Sequence, residues 1–162
     1  MADGADASES LAAALGRVPS GLFVLTARHG DRETGMLASW VQQCSFDPPQ
    51  LSVAVNKGRD VLDWLADGAA FVLNILPEGA KGLVGRFGKG FEPGDDPFAG
   101  LKVTRERDTP PVLRDAHAYL ACRVANRFDA GDHVLVIGRV VAGAILNPGP
   151  PTVHIRKNGL KY

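Results

Sequence analysis

The chain has few cysteines, no net charge and no long apolar run. Its two cysteines, Cys44 and Cys122, are far apart and form no CxxC pair. A disulfide framework and a cysteine-rich zinc site are therefore not indicated, and a reduced, cytoplasmic protein is expected. Lys plus Arg and Asp plus Glu both number 18, so the formal charge is zero. Nucleic-acid binders usually carry a basic surplus or stripe, so no nucleic-acid partner is expected. No run of about 18 apolar residues occurs, and no membrane span is expected. The four histidines have no metal-ligand spacing with Asp or Glu. GxSxG and P-loop motifs are missing. The glycines between 82 and 90 follow a helix-like stretch at the wrong spacing for a dinucleotide fingerprint, so no Rossmann site is implied. The opening MADGADASES lacks the basic and apolar regions of a signal peptide and is expected to be a flexible lead-in.

What is present suffices for one domain: 162 residues, 45% of them apolar. Leu11, Leu15 and Val18 have helical spacing, with Ser8 or Ser10 as the expected cap. Residues 22–27 predict a strand and His29-Gly30-Asp31 a hairpin turn into a second strand at 34–38. Residues 51–55 and 71–76 predict further strands. Residues 59–66 predict a helix stopped by Gly68, and 78–87 a second short helix. Residues 91–100 read as loop, 101–104 as a short strand, and Pro110-Pro111 as a break. Long β-type runs at 119–128 and 133–144, joined by a turn at 129–132, predict a hairpin, and 152–155 a last strand. Strands that so often adjoin fit a small antiparallel barrel with peripheral short helices rather than a doubly wound sheet. The expected division is 1–20 as lead-in and short helix, and 21–162 as the domain.

Two segments carry chemistry. Asn56-Lys57-Gly58-Arg59-Asp60 lies between a predicted strand and a predicted helix. A helix N-terminus attracts phosphate, and Lys57 and Arg59 add full charges. Taken alone, the turn reads first as a solvated surface turn, since basic turns are common on surfaces. Next, Ser39, Trp40, Gln42, Gln43 and Ser45 crowd a short stretch beside an apolar strand. They offer hydrogen-bond partners and aromatic cover for a planar ring, or make an ordinary edge strand with a buried Trp. Composition does not separate these readings. Cys44 is expected to be small buried packing. His29 and His117 are expected at the surface, His154 as a structural hydrogen-bonder, and His133 alone as a turn residue.

The ordered set SGLFVLTA (20–27), GMLASWVQQCSFDPP (35–49), FVLNILPEG (71–79), FEPGDDPFAG (91–100), AYLACRV (118–124), GDHVLVIGRV (131–140) and VHIRKNGLKY (153–162) resembles the flavin reductase-like, FMN-binding split-barrel family. The likeness is greatest to the reductase domain at the C-terminus of cyanobacterial flavodiiron (diflavin) proteins. The resemblance implies a split β-barrel that binds FMN and takes a hydride from NADH or NADPH. Electrons then pass to free flavin, oxygen or a flavodiiron-type partner. The alternative is a non-catalytic FMN-binding electron-transfer or storage module.

By the same resemblance, Ala38, Ser39, Trp40, Val41, Gln43, Cys44 and Ser45 hold the ring and ribityl chain. Asn56, Lys57 and Arg59 contact the phosphate. His133 of the Gly-Asp-His motif sits by the reactive face, and Phe87 and Gly88 lie at the cofactor's rim. Cys44, Gln42 and Val134 depart from the family's usual alanine, serine and tryptophan. A homodimer with flavin near its interface is implied. Apolar strand surface around Val134 and Val141 gives a separate reason for it.

Overall fold

A computed structural model describes residues 3–161; Met1, Ala2 and Tyr162, at the two ends of the expected lead-in and last motif, lie outside the described residues. In chain order the elements begin with α1 (Asp3–Gly16), β1 (Ser20–Gly21), β2 (Phe23–His29) and β3 (Arg32–Ala38). They continue with β4 (Val41–Phe46), β5 (Pro49–Asn56), α2 (Val61–Trp64), β6 (Ala70–Ile75) and α3 (Lys81–Gly88). The last are β7 (Val103–Glu106), β8 (Thr109–Leu113), β9 (Ala118–Ala130), β10 (His133–Ile145) and β11 (Val153–His154).

Seven antiparallel strands form one sheet in the order β3-β2-β6-β9-β10-β5-β4. The alternation of β5 sends Leu51, Val53 and Val55 to one face. These side chains share one buried cluster with Leu25 and Met36 from the other end of the sheet, and with Phe71, Leu73, Val124 and Val136 from its middle. A sheet whose two ends bury the same core is rolled into a barrel. Val61, Leu62 and Leu65 join that cluster from α2 and its end. A second cluster outside the barrel packs Phe87 and Phe98 onto Leu22, Val24 and Leu113. The buried polar groups between these layers are paired. Thr26 Oγ1 donates to the Pro111 carbonyl at 2.6 Å, and Asn74 Nδ2 to the Val24 carbonyl at 3.0 Å. Asn74 Oδ1 accepts from the Leu113 N–H at 2.8 Å.

The antiparallel barrel with short helices is as expected, but several local expectations change. Residues 3–16 are helical, so Ser8 and Ser10 lie within α1 instead of capping it. The helix expected over 59–66 shrinks to one turn, α2. Pro110 and Pro111 do not break the chain. They sit inside β8, in the stretch where its pairing with β7 is irregular, and a missing N–H costs little there. Residues 41–46 form the edge strand β4, which the sequence left as one of two readings, with a bulge between Gln43 and Ser45 that leaves Cys44 unpaired. Cys44 is accordingly exposed and not packed. His117 is half-buried, its Nδ1 2.7 Å from the Asn147 carbonyl. Among the described residues no helix is long and apolar enough to cross a membrane.

Candidate functional site

Antiparallel pairing of β5 with β10 sets His133 opposite Asn56. The Asn-Lys-Gly-Arg turn and the Gly-Asp-His turn, far apart in sequence, therefore end side by side. The Lys57 N–H donates to the Asp132 carbonyl at 2.9 Å and ties the two turns together. Beside them β3 ends at Ala38 and passes through Ser39 and Trp40 into β4. Against this corner lie α3 and the C-terminal β11, which pairs with β1 so that His154 faces Ser20.

Between these elements lies a cleft of about 360 Å³, within the usual range for small-molecule sites. Its walls are apolar, with Met36, Leu37, Ala54 and Val84, and its polar groups are Ser39, Asn56, Arg59, His133 and His154. A larger groove beside α2 is lined by Asp31, Asp60, Asp63, Glu92, Asp95 and Asp96. Its carboxylates would repel phosphate-bearing ligands, so size does not make it the site.

Six of the expected residues line the cleft: Ala38, Ser39, Asn56, Arg59, Gly88 and His133. The others do not. Trp40 stands behind His133, ring centroids 4.7 Å apart, with the Arg156 guanidinium 5.0 Å from its own ring. Val41 packs against the barrel core. Gln43, Cys44 and Ser45 follow β4 away from the cleft; Gln43 and Cys44 are exposed, and Gln43 Nε2 donates to the Ser45 carbonyl at 3.3 Å. Lys57 is turned to Asp129, Nζ to Oδ2 2.8 Å. Phe87, expected at the rim, is fully buried.

The electrostatics differ from the helix-end argument. One turn of helix has almost no macrodipole, and Asp60 at its start adds a negative charge. The anion-binding capacity at this end of the cleft rests on Arg59, which makes no ion pair among the described residues. Its guanidinium lies beside Gly90. On the neighbouring turn His133 is buried, and its Nδ1 lies 2.6 Å from Asp132 Oδ1. That hydrogen bond holds the Asp132 carboxyl below its ordinary value.

Sequence reasoning missed Leu22, Met36, Leu37, Ala54, Val84 and His154. Ala54 had a signal: it falls on the opposite face of β5 from Leu51, Val53 and Val55, where a small residue leaves room for a ligand. His154 had none, since nothing local says that the tail folds back beside β1.

The chain matches the flavin reductase like domain family over residues 15–159. It belongs to that family. The flavin reductase-like domain is 44% identical to diflavin flavoprotein A 1 of Synechocystis sp. over 151 residues, 92% of this chain and 26% of that protein. It thus spans about a quarter of the length of the curated relatives it matches. Its fold is similar to that of a homologue of nitrilotriacetate monooxygenase component B from Mycobacterium thermoresistibile, with a TM-score of 0.82 and 26% identity over 94% of this chain and 85% of that one. It is also similar to the NADH:FAD oxidoreductase SgcE6 of Streptomyces globisporus, with a TM-score of 0.81 and 24% identity over 88% and 85% of the two chains.

The cleft's donor set suits a flavin. Apolar walls match the faces of a tricyclic ring, Ser39 and His133 offer hydrogen bonds to its polar edge, and Asn56 and Arg59 offer a hydrogen bond and charge to a phosphate.

Proposed function

We propose that this domain is an NAD(P)H-dependent flavin reductase that holds FMN in the cleft between the β5 and β10 turns. The observation that carries the reading is the union of apolar walls, Arg59 and His133 in one cleft, in a chain of the flavin reductase-like family. Arg59 and Asn56 hold the phosphate end. Ala38 and Ser39 lie along the ring, and His133, backed by Trp40, marks where the nicotinamide of NADH or NADPH approaches. Bound FMN supplies the redox chemistry. The protein orients the two rings and excludes water with Met36, Leu37 and Val84. Electrons go on to free flavin, to oxygen or, by analogy with the diflavin relatives, to a flavodiiron-type partner domain.

The catalytic unit in this reading is 21–162, with α1 laid against its tail through the Arg156 N–H to Gly16 carbonyl bond. Two free thiols suit a reducing cytoplasmic setting. A homodimer also belongs to the reading. Phe46 is 92% exposed and Ile145 74%, and a two-fold partner would cover such side chains. Light scattering that gives only a monomer, with FMN tightly bound, would remove the dimer from it.

The test is the visible spectrum of the purified protein with FMN, before and after anaerobic NADH or NADPH. Rapid bleaching supports the reductase, and H133A should slow that bleaching. FMN bound tightly but never bleached would leave a non-catalytic electron-transfer or storage module. No FMN binding would end both readings.

A further inference from the structure

Asp132 is at the surface, with its side chain 86% exposed, while that of His133 is 10% exposed and lines the cleft. With its carboxyl held below the ordinary value by the His133 hydrogen bond, Asp132 is ionised near neutral pH and can only accept. Nδ1 of His133 therefore carries the proton of the 2.6 Å contact. In the neutral ring this leaves Nε2 with a lone pair and no hydrogen. Nε2 has no partner among the described side chains and backbone groups. Yet no buried side-chain nitrogen or oxygen there lacks one. Nε2 is thus open to its surroundings, and the opening His133 lines is the cleft. The ring is held by Trp40 against it. The backbone is held by the Lys57 N–H to Asp132 carbonyl bond and by the pairing with Asn56.

We propose that Asp132 is a positioning residue that turns Nε2 of His133 into a fixed hydrogen-bond acceptor in the cleft, matched to an amide-type N–H of the bound ligand. The inference rests on the reading of the cleft as a flavin and nicotinamide site. Both ligands carry such a group: the carboxamide of a reduced nicotinamide nucleotide and the imide N–H of the flavin's pyrimidine ring. A ligand that lacks the N–H would leave the His133 lone pair buried and unpaired, so the device selects as well as orients.

The first measurement needs no ligand. Long-range ¹⁵N correlation spectra of histidine-labelled protein, with the ring neutral, should show His133 in the Nδ1–H form in wild type and D132E. In D132N the side-chain amide donates to Nδ1, and the Nε2–H form should dominate. A wild-type Nε2–H ring, or a tautomer unmoved by D132N, overturns the proposal. The second measurement finds the donor in FMN-loaded protein. If it is the carboxamide, the KM for NADH should rise about tenfold in D132N, the scale of one hydrogen bond. Wild type should also discriminate against reduced 3-acetylpyridine adenine dinucleotide, whose acetyl group replaces the carboxamide and has no N–H, and D132N should not. If it is the flavin imide, D132N should weaken FMN about tenfold but leave N3-methyl FMN unchanged. D132E should restore either property. A shifted tautomer with both ligands unaffected overturns the ligand role. An Nδ1–H ring in a protein that neither binds FMN nor bleaches refutes instead the reading of the cleft, because the positioned acceptor would still be there.

Discussion

A Cβ built on Gly35 would lie 2.5 Å from Cε1 and 2.8 Å from Cδ1 of Phe87. The Phe87 ring of α3 therefore lies directly against the Gly35 backbone of β3, and residue 35 must be glycine for that approach. The contact forms part of the floor from which Leu37 and Val84 reach the cleft. It also explains why Phe87 is buried in the scaffold and does not line the cleft.

G35A should accordingly destabilise the domain by about 1–3 kcal/mol, the usual cost of overpacking. F87L should recover part of that loss, so the double variant should be more stable than the sum of the single changes. Urea unfolding of the four proteins measures this, and strict additivity would show that the two residues do not meet.

Arg59 and Lys57 looked equivalent in sequence, but only Arg59 faces the cleft, while Lys57 bonds both carboxylate oxygens of Asp129. R59A should weaken FMN by a factor corresponding to about 1.5–3 kcal/mol, one charged hydrogen bond, and should leave riboflavin almost unaffected. K57A should change FMN affinity much less. Titration of flavin fluorescence with both ligands decides the matter. Equal losses for R59A with FMN and riboflavin would place the phosphate elsewhere.

The two thiols should differ sharply. Cys44 is exposed on the bulge of β4, while burial pushes the Cys122 thiol up to about 12. Reactivity follows the thiolate and its access. A mild thiol reagent should label Cys44 alone in the folded protein and both residues after denaturation. Prompt labelling of Cys122 under native conditions would show the barrel opening locally.

The Asp129 carboxyl is held below its ordinary value, first by the hydrogen bond from Lys57 and then by its charge. A carboxyl lowered in the folded state stabilises the fold above its unfolded value, and that stability is lost as pH falls through the lowered folded value. The window therefore lies below the ordinary carboxylate pKa, and the effect is small because the pair is exposed. D129N should flatten this part of the acid-unfolding curve and leave stability near neutral pH almost unchanged. An identical acid limb in wild type and D129N would show that the pair contributes nothing.

The sequence by itself determined the class of fold. Alternation in residues 51–55, the two long β runs around a Gly-Asp turn, and glycines at the stops are local signals. Each arises from the pleat or from backbone freedom at a turn. Motif order also pointed to the family, and the family resemblance in turn pointed to Arg59, Ser39 and His133. Only the tertiary structure decided which of the chemically equivalent residues face the cleft. Gln43 and Ser45 look as suitable as Ser39, yet the corner into β4 carries them to the outer edge of the sheet. Lys57 looks as suitable as Arg59, yet the β9–β10 turn supplies an acid that draws it away. His154 lines the cleft because the tail pairs with β1, and His133 stands opposite Asn56 because β10 pairs with β5. These outcomes depend on strand register and on charges brought together from distant parts of the chain, and short-range sequence pattern does not encode such partners.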